Sequence, residues 1–144
     1  MKEFNFYSLK VVKDRTVSYD AISTTFDAGL FFQRLIGDSA EEHLVAVGTN
    51  SKGEPICGFE ISHGDISSSV VDPSAIFKRL LQFSNLSSFF LAHNHPSGDV
   101  TFSSDDIAVT KRIKRASQLL GIRFLDHIVV SDCDYTSAKS EGIL

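Results

Sequence analysis

Tryptophan is absent from this sequence, cysteine occurs only twice, and no run of eighteen apolar residues appears anywhere. Without such a run nothing spans a membrane as a helix. The start, Met1-Lys2-Glu3-Phe4-Asn5, alternates apolar and polar residues and has no apolar core of a leader, so a secretory signal is not expected and the cytoplasm is the expected compartment. In that compartment Cys57 and Cys133 are expected as reduced, buried thiols, and neither sits in a Cys-x-x-Cys pair that would mark a zinc knuckle or redox motif. Basic residues are also short: 14 Lys and Arg against 18 Asp and Glu give a net charge of −4. That balance argues against a protein that coats nucleic acid, because phosphate binding is dominated by Lys and Arg. Repeats, low-complexity tracts and linker-like stretches are missing too, which leaves no sign of a second domain.

What remains is an ordinary globular composition, 42% hydrophobic and 22% charged, with twelve Phe to fill a core. A chain of 144 residues is one domain's worth and buries a proper core. Phe4 to Val12 alternates briefly and predicts an edge strand, followed by a polar turn at 13–15. Thr24-Thr25-Phe26-Asp27 predicts a helix start, and the pattern through Ile36 stops at Gly37. Residues 43–49 are almost continuously apolar, as in a strand covered on both faces, and Asn50 to Gly53 predicts the turn of a hairpin whose second arm is 55–62. Asp72-Pro73 begins another helix, with an acidic N-cap and Pro at the first helical position. A third central strand, 88–92, runs into His93. A helix from about Ser104 to Leu120, closed by Gly121, and a last strand over 122–131 complete the pattern. Strands alternating with helices predict an α/β fold: a mixed sheet with helices packed on it. The basic cluster Lys111, Arg112, Lys114 and Arg115 lies opposite Ile113 on the third helix and is expected to be a solvated face.

The informative segment is His93-Asn94-His95-Pro96-Ser97-Gly98-Asp99, followed by Ser103 and Asp106. Side chains two apart on a strand point the same way, so two imidazoles spaced His-x-His reach one ion. Pro96 ends the strand, and the next helix returns an acidic residue of its first turn toward them. Two His and one Asp, with a fourth position left for water, form the ligand set of a catalytic rather than a structural zinc site, and zinc brings the pKa of its water to about 7. Each piece has a plainer reading. His-x-His arises by chance, and Ser103-x-x-Asp106 is also a capping box with Phe102 and Ile107 as its staple, in which Asp106 merely serves the helix N-terminus. The letters His-Asn-His do not make an HNH nuclease, which spreads its residues over a hairpin and a helix.

With Ser103 and Asp106 at their places, this segment resembles the JAMM motif of JAB/MPN metalloenzymes, and more closely its RadC-like branch. The similarity runs through Gly64, Ser69, Pro73 and Phe77-Lys78-Arg79, then 119–122 and 125–130, to Tyr135 and Ser137, covering roughly residues 25–144. It implies a single JAB/MPN domain over 1–144, residues 1–24 being a family-variable strand and turn, with cytidine-deaminase-like layering of the sheet and helices. It implies that His93, His95 and Asp106 hold one Zn2+ per chain, that Ser103 stabilises an oxyanion, and that a glutamate before a strand moves the proton. Glu42 matches that glutamate, and Glu41 is its competitor. Asp126 and His127 read either as outer partners of the metal ligands, a carboxylate holding an imidazole, or as a structural polar pair. The implied activity is cleavage of a peptide or isopeptide amide bond in a protein or peptide substrate. The other readings are a non-catalytic scaffold of the same fold, or a repair-associated role without direct duplex binding. Homo-oligomerisation is left open. Two departures from the branch are the short segment preceding the match, where a helical region is common, and Phe102 in place of Pro.

Overall fold

A computed structural model of the chain describes residues 1–64 and 71–144. Within them lie three helices, α1 (Thr25–Ile36), α2 (Pro73–Leu80) and α3 (Ser104–Leu120). Five strands, β1 (His43–Thr49), β2 (Pro55–His63), β3 (Ser88–Asn94), β4 (Arg123–Val130) and β5 (Tyr135–Ser137), form one sheet in the order β2-β1-β3-β4-β5. Ser69, one of the positions carrying the family resemblance, lies outside the described residues.

The sheet is mixed. β1 is antiparallel to both β2 and β3, whereas β3 and β4 are parallel and joined through α3. Period-two alternation sends the side chains of each strand to opposite faces. Leu44, Ala46, Phe89 and Leu91 meet Ile76, Phe77 and Leu80 of α2 and Val109 and Ile113 of α3. Val45, Val47, Ala92, Ile128 and Val130 meet Ala28, Phe31, Phe32 and Ile36 of α1 on the other face. The outcome is helix, sheet, helix: three layers with an apolar core on each side of the sheet, as the near-continuous apolar runs of β1 and β3 imply.

Local signals explain the element ends. Asp72 caps α2 by accepting from Ser74 N at 3.0 Å, and Gly121 ends α3 at φ 72°, a left-handed conformation that costs glycine nothing. Ile113 is fully buried while Lys111, Arg112 and Arg115 are exposed, so the basic cluster is indeed an outer helix face. Arg112 also donates to Val71 O at 3.1 Å, tying α3 to the start of α2.

Three expectations differ. Residues 4–12 form no strand, and Phe4, Phe6, Tyr7 and Leu9 are exposed. A strand is stabilised by the ladder it joins, and alternation alone supplies no partner for this segment. Both cysteines are free thiols as expected, but only Cys57 packs against the core; Cys133 lies exposed in the turn before β5. The short strand β5 was not foreseen, being three residues whose pairing to β4 is long-range.

Candidate metal centre

Three features of the fold bring the site together at one end of β3. Antiparallel pairing sets Leu44 opposite His93, which puts the start of β1 beside the end of β3. The loop from His95 to Ser103 is pinned below the sheet by buried Val100 and Phe102, packed with Val129 and Ala138. α3, capped by Ser103, then begins at Ser104 and returns its first turn to the end of β3. Carboxyl ends of strands followed by helices are where α/β sheets place their ligand sites.

His93, His95 and Asp106 are gathered so that one ligand atom from each lies within 4.8 Å of the others. His93 Nε2 is 3.0 Å from His95 Nε2 and 3.0 Å from Asp106 Oδ1, and His95 Nε2 is 3.2 Å from Asp106 Oδ2. Ligands about 2.0–2.1 Å from one tetrahedral zinc stand about 3.3 Å apart, so the spacing fits a cation at the centre. The chemistry of the donors fits it too. His95 Nδ1 is 2.7 Å from the Asp99 carbonyl, which can only accept, so the proton of a neutral His95 sits on Nδ1 and its Nε2 is a bare lone pair. That lone pair faces a carboxylate and a second imidazole, an arrangement that calls for a positive charge between them. Burial opposes ionisation of Asp106, but the His93 and His95 imidazoles outweigh it and hold the carboxyl well below the usual carboxylate range. Asp106 in turn raises the pKa of His95. His93 and Asp106 are buried, whereas the His95 side chain keeps 15% exposure, which leaves the centre open to solvent on that side.

The two readings of Ser103-x-x-Asp106 turn out to be compatible. Ser103 Oγ accepts from Asp106 N at 3.1 Å and Asp106 Oδ2 accepts from Ser103 N at 2.8 Å, a complete capping box. The same carboxylate faces both imidazoles. Because Ser103 Oγ accepts from the backbone, its own O–H remains available to donate, and the residue is exposed.

Glu42 is half-buried immediately before β1 and Glu41 is exposed. By the alternation of β1, Glu42 shares the face of Leu44 and His93, whereas Glu41 belongs to the opposite, α1 side. The Glu42 charge acts on His95, helping to raise its pKa.

His127 and Asp126 separate. His127 Nε2 is 2.8 Å from His93 Nδ1, so an imidazole, not a carboxylate, backs the buried His93 ring. Burial pushes the His127 pKa well down, and the neighbouring His93 acts in the same direction. Asp126 points elsewhere: it accepts from Ser137 Oγ, from Lys139 N at 2.9 Å and from its neighbour His127 N at 2.8 Å, and burial pushes its carboxyl up. It holds β5 and the following turn to β4. Phe102 packs edge-on against the His127 ring at 5.4 Å between centroids, so this departure from the branch's Pro touches the residue behind His93.

Two residues of the site had no role assigned from the sequence. Asn94, fully buried, accepts from His43 N at 2.6 Å and donates to Glu41 O at 2.8 Å and Ser39 O at 3.3 Å. It fastens the segment containing Glu42 to the end of β3, between the two histidines. Its signal was a polar residue pointing opposite to His93 and His95, into an otherwise apolar layer. Thr110, one helical turn after Asp106, is 2.6 Å from His127 Nδ1.

Among sequence families, the description "RadC-like JAB domain" matches residues 22–143. An UPF0758 protein of Desulforamulus reducens is 43% identical over 107 residues, 74% of this chain and 47% of its own. One of Bacillus licheniformis is 42% identical over 113 residues, 76% of this chain and 50% of its own. One of Staphylococcus haemolyticus is 39% identical over 121 residues, 84% of this chain and 53% of its own. The chain thus spans about half the length of these curated relatives.

Proposed function

Since this chain belongs to the RadC-like JAB domain family, we propose that it is a zinc-dependent hydrolase of the JAMM type, cleaving a peptide or isopeptide amide bond. The observation that carries the reading is the convergence of His93 Nε2, His95 Nε2 and the Asp106 carboxylate, with the His95 Nε2 lone pair turned toward the other two groups. A nitrogen-rich, three-ligand set with an open side suits zinc, which would supply Lewis acidity toward a water and a substrate carbonyl.

The protein groups divide the remaining work. Glu42, on the same face as His93 and close enough to influence His95, takes the proton of the attacking water and returns it to the departing amine. The Ser103 O–H, free because its oxygen is already engaged by Asp106 N, donates to the carbonyl oxygen as negative charge builds there. Asn94 keeps Glu42 in register with the histidines through its bonds to 39, 41 and 43. Since the family relatives are about twice as long, the substrate is a property of the whole protein and its loops rather than of the fold.

The test is hydrolysis of a panel of fluorescence-quenched peptides and lysine-linked isopeptides by zinc-loaded protein. Glu42→Gln is expected to keep its zinc and lose turnover by roughly 10²–10⁴-fold, the usual worth of a positioned acid–base group. Zinc-loaded protein that cleaves nothing in the panel, or a Glu42→Gln protein as active as its parent, would sink the reading and favour a binding module built on the same fold.

A further inference from the structure

Behind His93 runs a chain of three hydrogen bonds that the hydrolytic reading leaves without a role. His93 Nδ1 meets His127 Nε2 at 2.8 Å, His127 Nδ1 meets Thr110 Oγ1 at 2.6 Å, and Thr110 Oγ1 reaches the main-chain carbonyl of Asp106 at 2.7 Å. Thr110 is fully buried and His127 is 1% exposed, so solvent has no part in the chain. It also closes on itself: Asp106 supplies the carbonyl at one end and the carboxylate facing His93 Nε2 at the other.

We infer that His127 and Thr110 are positioning residues that fix His93 with its proton on Nδ1 and its Nε2 lone pair directed at the cation. The deduction follows from counting protons. A threonine hydroxyl has one; when it donates to the carbonyl of Asp106, which can only accept, its oxygen accepts from His127. His127 therefore carries its proton on Nδ1. A neutral imidazole has a single N–H, so His127 Nε2 must accept, and the proton between the two rings belongs to His93 Nδ1. His93 Nε2 is then bare, in the state that a metal ligand requires.

The chain has one other consistent polarity. If the Thr110 hydroxyl turns onto His127 Nδ1, both rings carry their protons on Nε2, and His93 donates to Asp106 Oδ1. The three groups hold three protons in either case. The reversed polarity places a hydrogen where the cation belongs, so cation binding selects the first. This inference rests on the metal-centre reading and deepens it. Outer partners of ligating histidines are commonly carboxylates or carbonyls, and a carboxylate adds negative charge to the ligand. A neutral imidazole fixes the tautomer without lending charge, and Asp126, the adjacent carboxylate, is turned away and occupied by Ser137.

The experiment combines zinc competition against a chelator with 15N resonances of the imidazole nitrogens, both on the full chain. With zinc bound, His93 and His127 are each expected to carry their proton on Nδ1. Thr110→Val should weaken zinc binding by about 10-fold, within the 10–100-fold range for losing an outer partner, and Thr110→Ser should restore it. His127→Phe should cost more, and Thr110→Val remains informative if that variant does not fold. A purely structural role would lower the unfolding midpoint of Thr110→Val while leaving its zinc affinity and the His93 tautomer as in the parent, and that result overturns the inference alone. So does a zinc-loaded parent with the His127 proton on Nε2. A parent that takes up no zinc overturns the metal-centre reading and the inference with it.

Discussion

The N-termini of α1 and α3 are built alike and are used differently. At α1, Asp27 N donates to Thr24 Oγ1 at 3.1 Å and Thr24 N donates to Asp27 Oδ2 at 2.9 Å; at α3 the matching distances between Ser103 and Asp106 are 3.1 and 2.8 Å. Each is a hydroxyl residue, two others and an aspartate. Asp27 faces solvent and spends its carboxylate on backbone donors of residues 23 and 24. Asp106 is buried and turns the same carboxylate toward His93 and His95. The motif therefore builds a helix end in both places, and only the strand that ends beside α3 turns one of them toward two imidazoles.

The sharpest way to separate the two is to replace each aspartate by asparagine, which keeps an oxygen for the cap but removes the charge. Asp106→Asn is expected to lose stoichiometric zinc altogether, beyond the roughly 10–100-fold that the loss of an outer partner costs. Asp27→Asn should bind zinc as the parent does. Equilibrium dialysis followed by metal analysis measures both. Retention of one zinc in Asp106→Asn would erase the distinction between the caps.

Removing the hydroxyls is the next probe. Ser103→Ala and Thr24→Ala should each cost about 1 kcal/mol of stability, as N-cap losses do. On the proposed chemistry Ser103→Ala should also lower kcat by about 10²–10³-fold, the effect of deleting one oxyanion donor. Thr24→Ala should leave turnover unchanged. Equal turnover in the two variants would return Ser103 to a capping role only.

Sequence pattern reaches the α1 and α3 caps equally well, because a capping box is local. It also reaches the helices, the hairpin and the central strands, whose periodicity and end signals are strong. His93 and His95 are legible because a strand aligns residues two apart, and Asp106 because its helix starts a short turn later. What it does not reach depends on long-range register. β5 exists because Asp126 and the β4 backbone hold it, and residues 4–12 have the alternation of a strand without a ladder to join. The pairing of Leu44 with His93 puts Glu42 rather than Glu41 on the histidine face, and nothing within residues 41–44 encodes that pairing. Asn94 sits in the middle of the motif, yet its partners lie more than fifty positions away. Asn94→Ala should destabilise the protein by about 1–3 kcal/mol, since it removes three hydrogen bonds between a buried side chain and the partly buried backbone of residues 39–43. Chemical denaturation measures this, and a change within error would mean that the segment before β1 is held by other contacts.

The smallest expected effect is a pH dependence confined to the α1 cap. Hydrogen bonds from the Ser23 backbone and the Thr24 side chain hold the Asp27 carboxyl below its ordinary value, with the Thr24 backbone adding to them. A carboxyl whose pKa is lower folded than unfolded binds fewer protons in the native state. Its stabilising contribution is therefore complete above the unfolded value, near 4, and is lost as pH falls through the folded one. The positive end of the α1 dipole acts in the same direction. Unfolding midpoints of the parent and Asp27→Asn should differ at pH 7, and the gap should narrow as the pH is lowered below 4, where the protonated acid and the amide carry the same charge. Asp106→Asn cannot serve as the matched control, because its carboxylate also answers to two imidazoles; Asp72→Asn can, since Asp72 caps α2 at the surface and is held low by the Ser74 backbone. Asp27→Asn and Asp72→Asn losing their deficits over the same pH interval would mark both as simple caps. A gap for Asp27 that stays constant down to pH 2.5 would show that the α1 box works through hydrogen-bond geometry alone, with its charge contributing nothing.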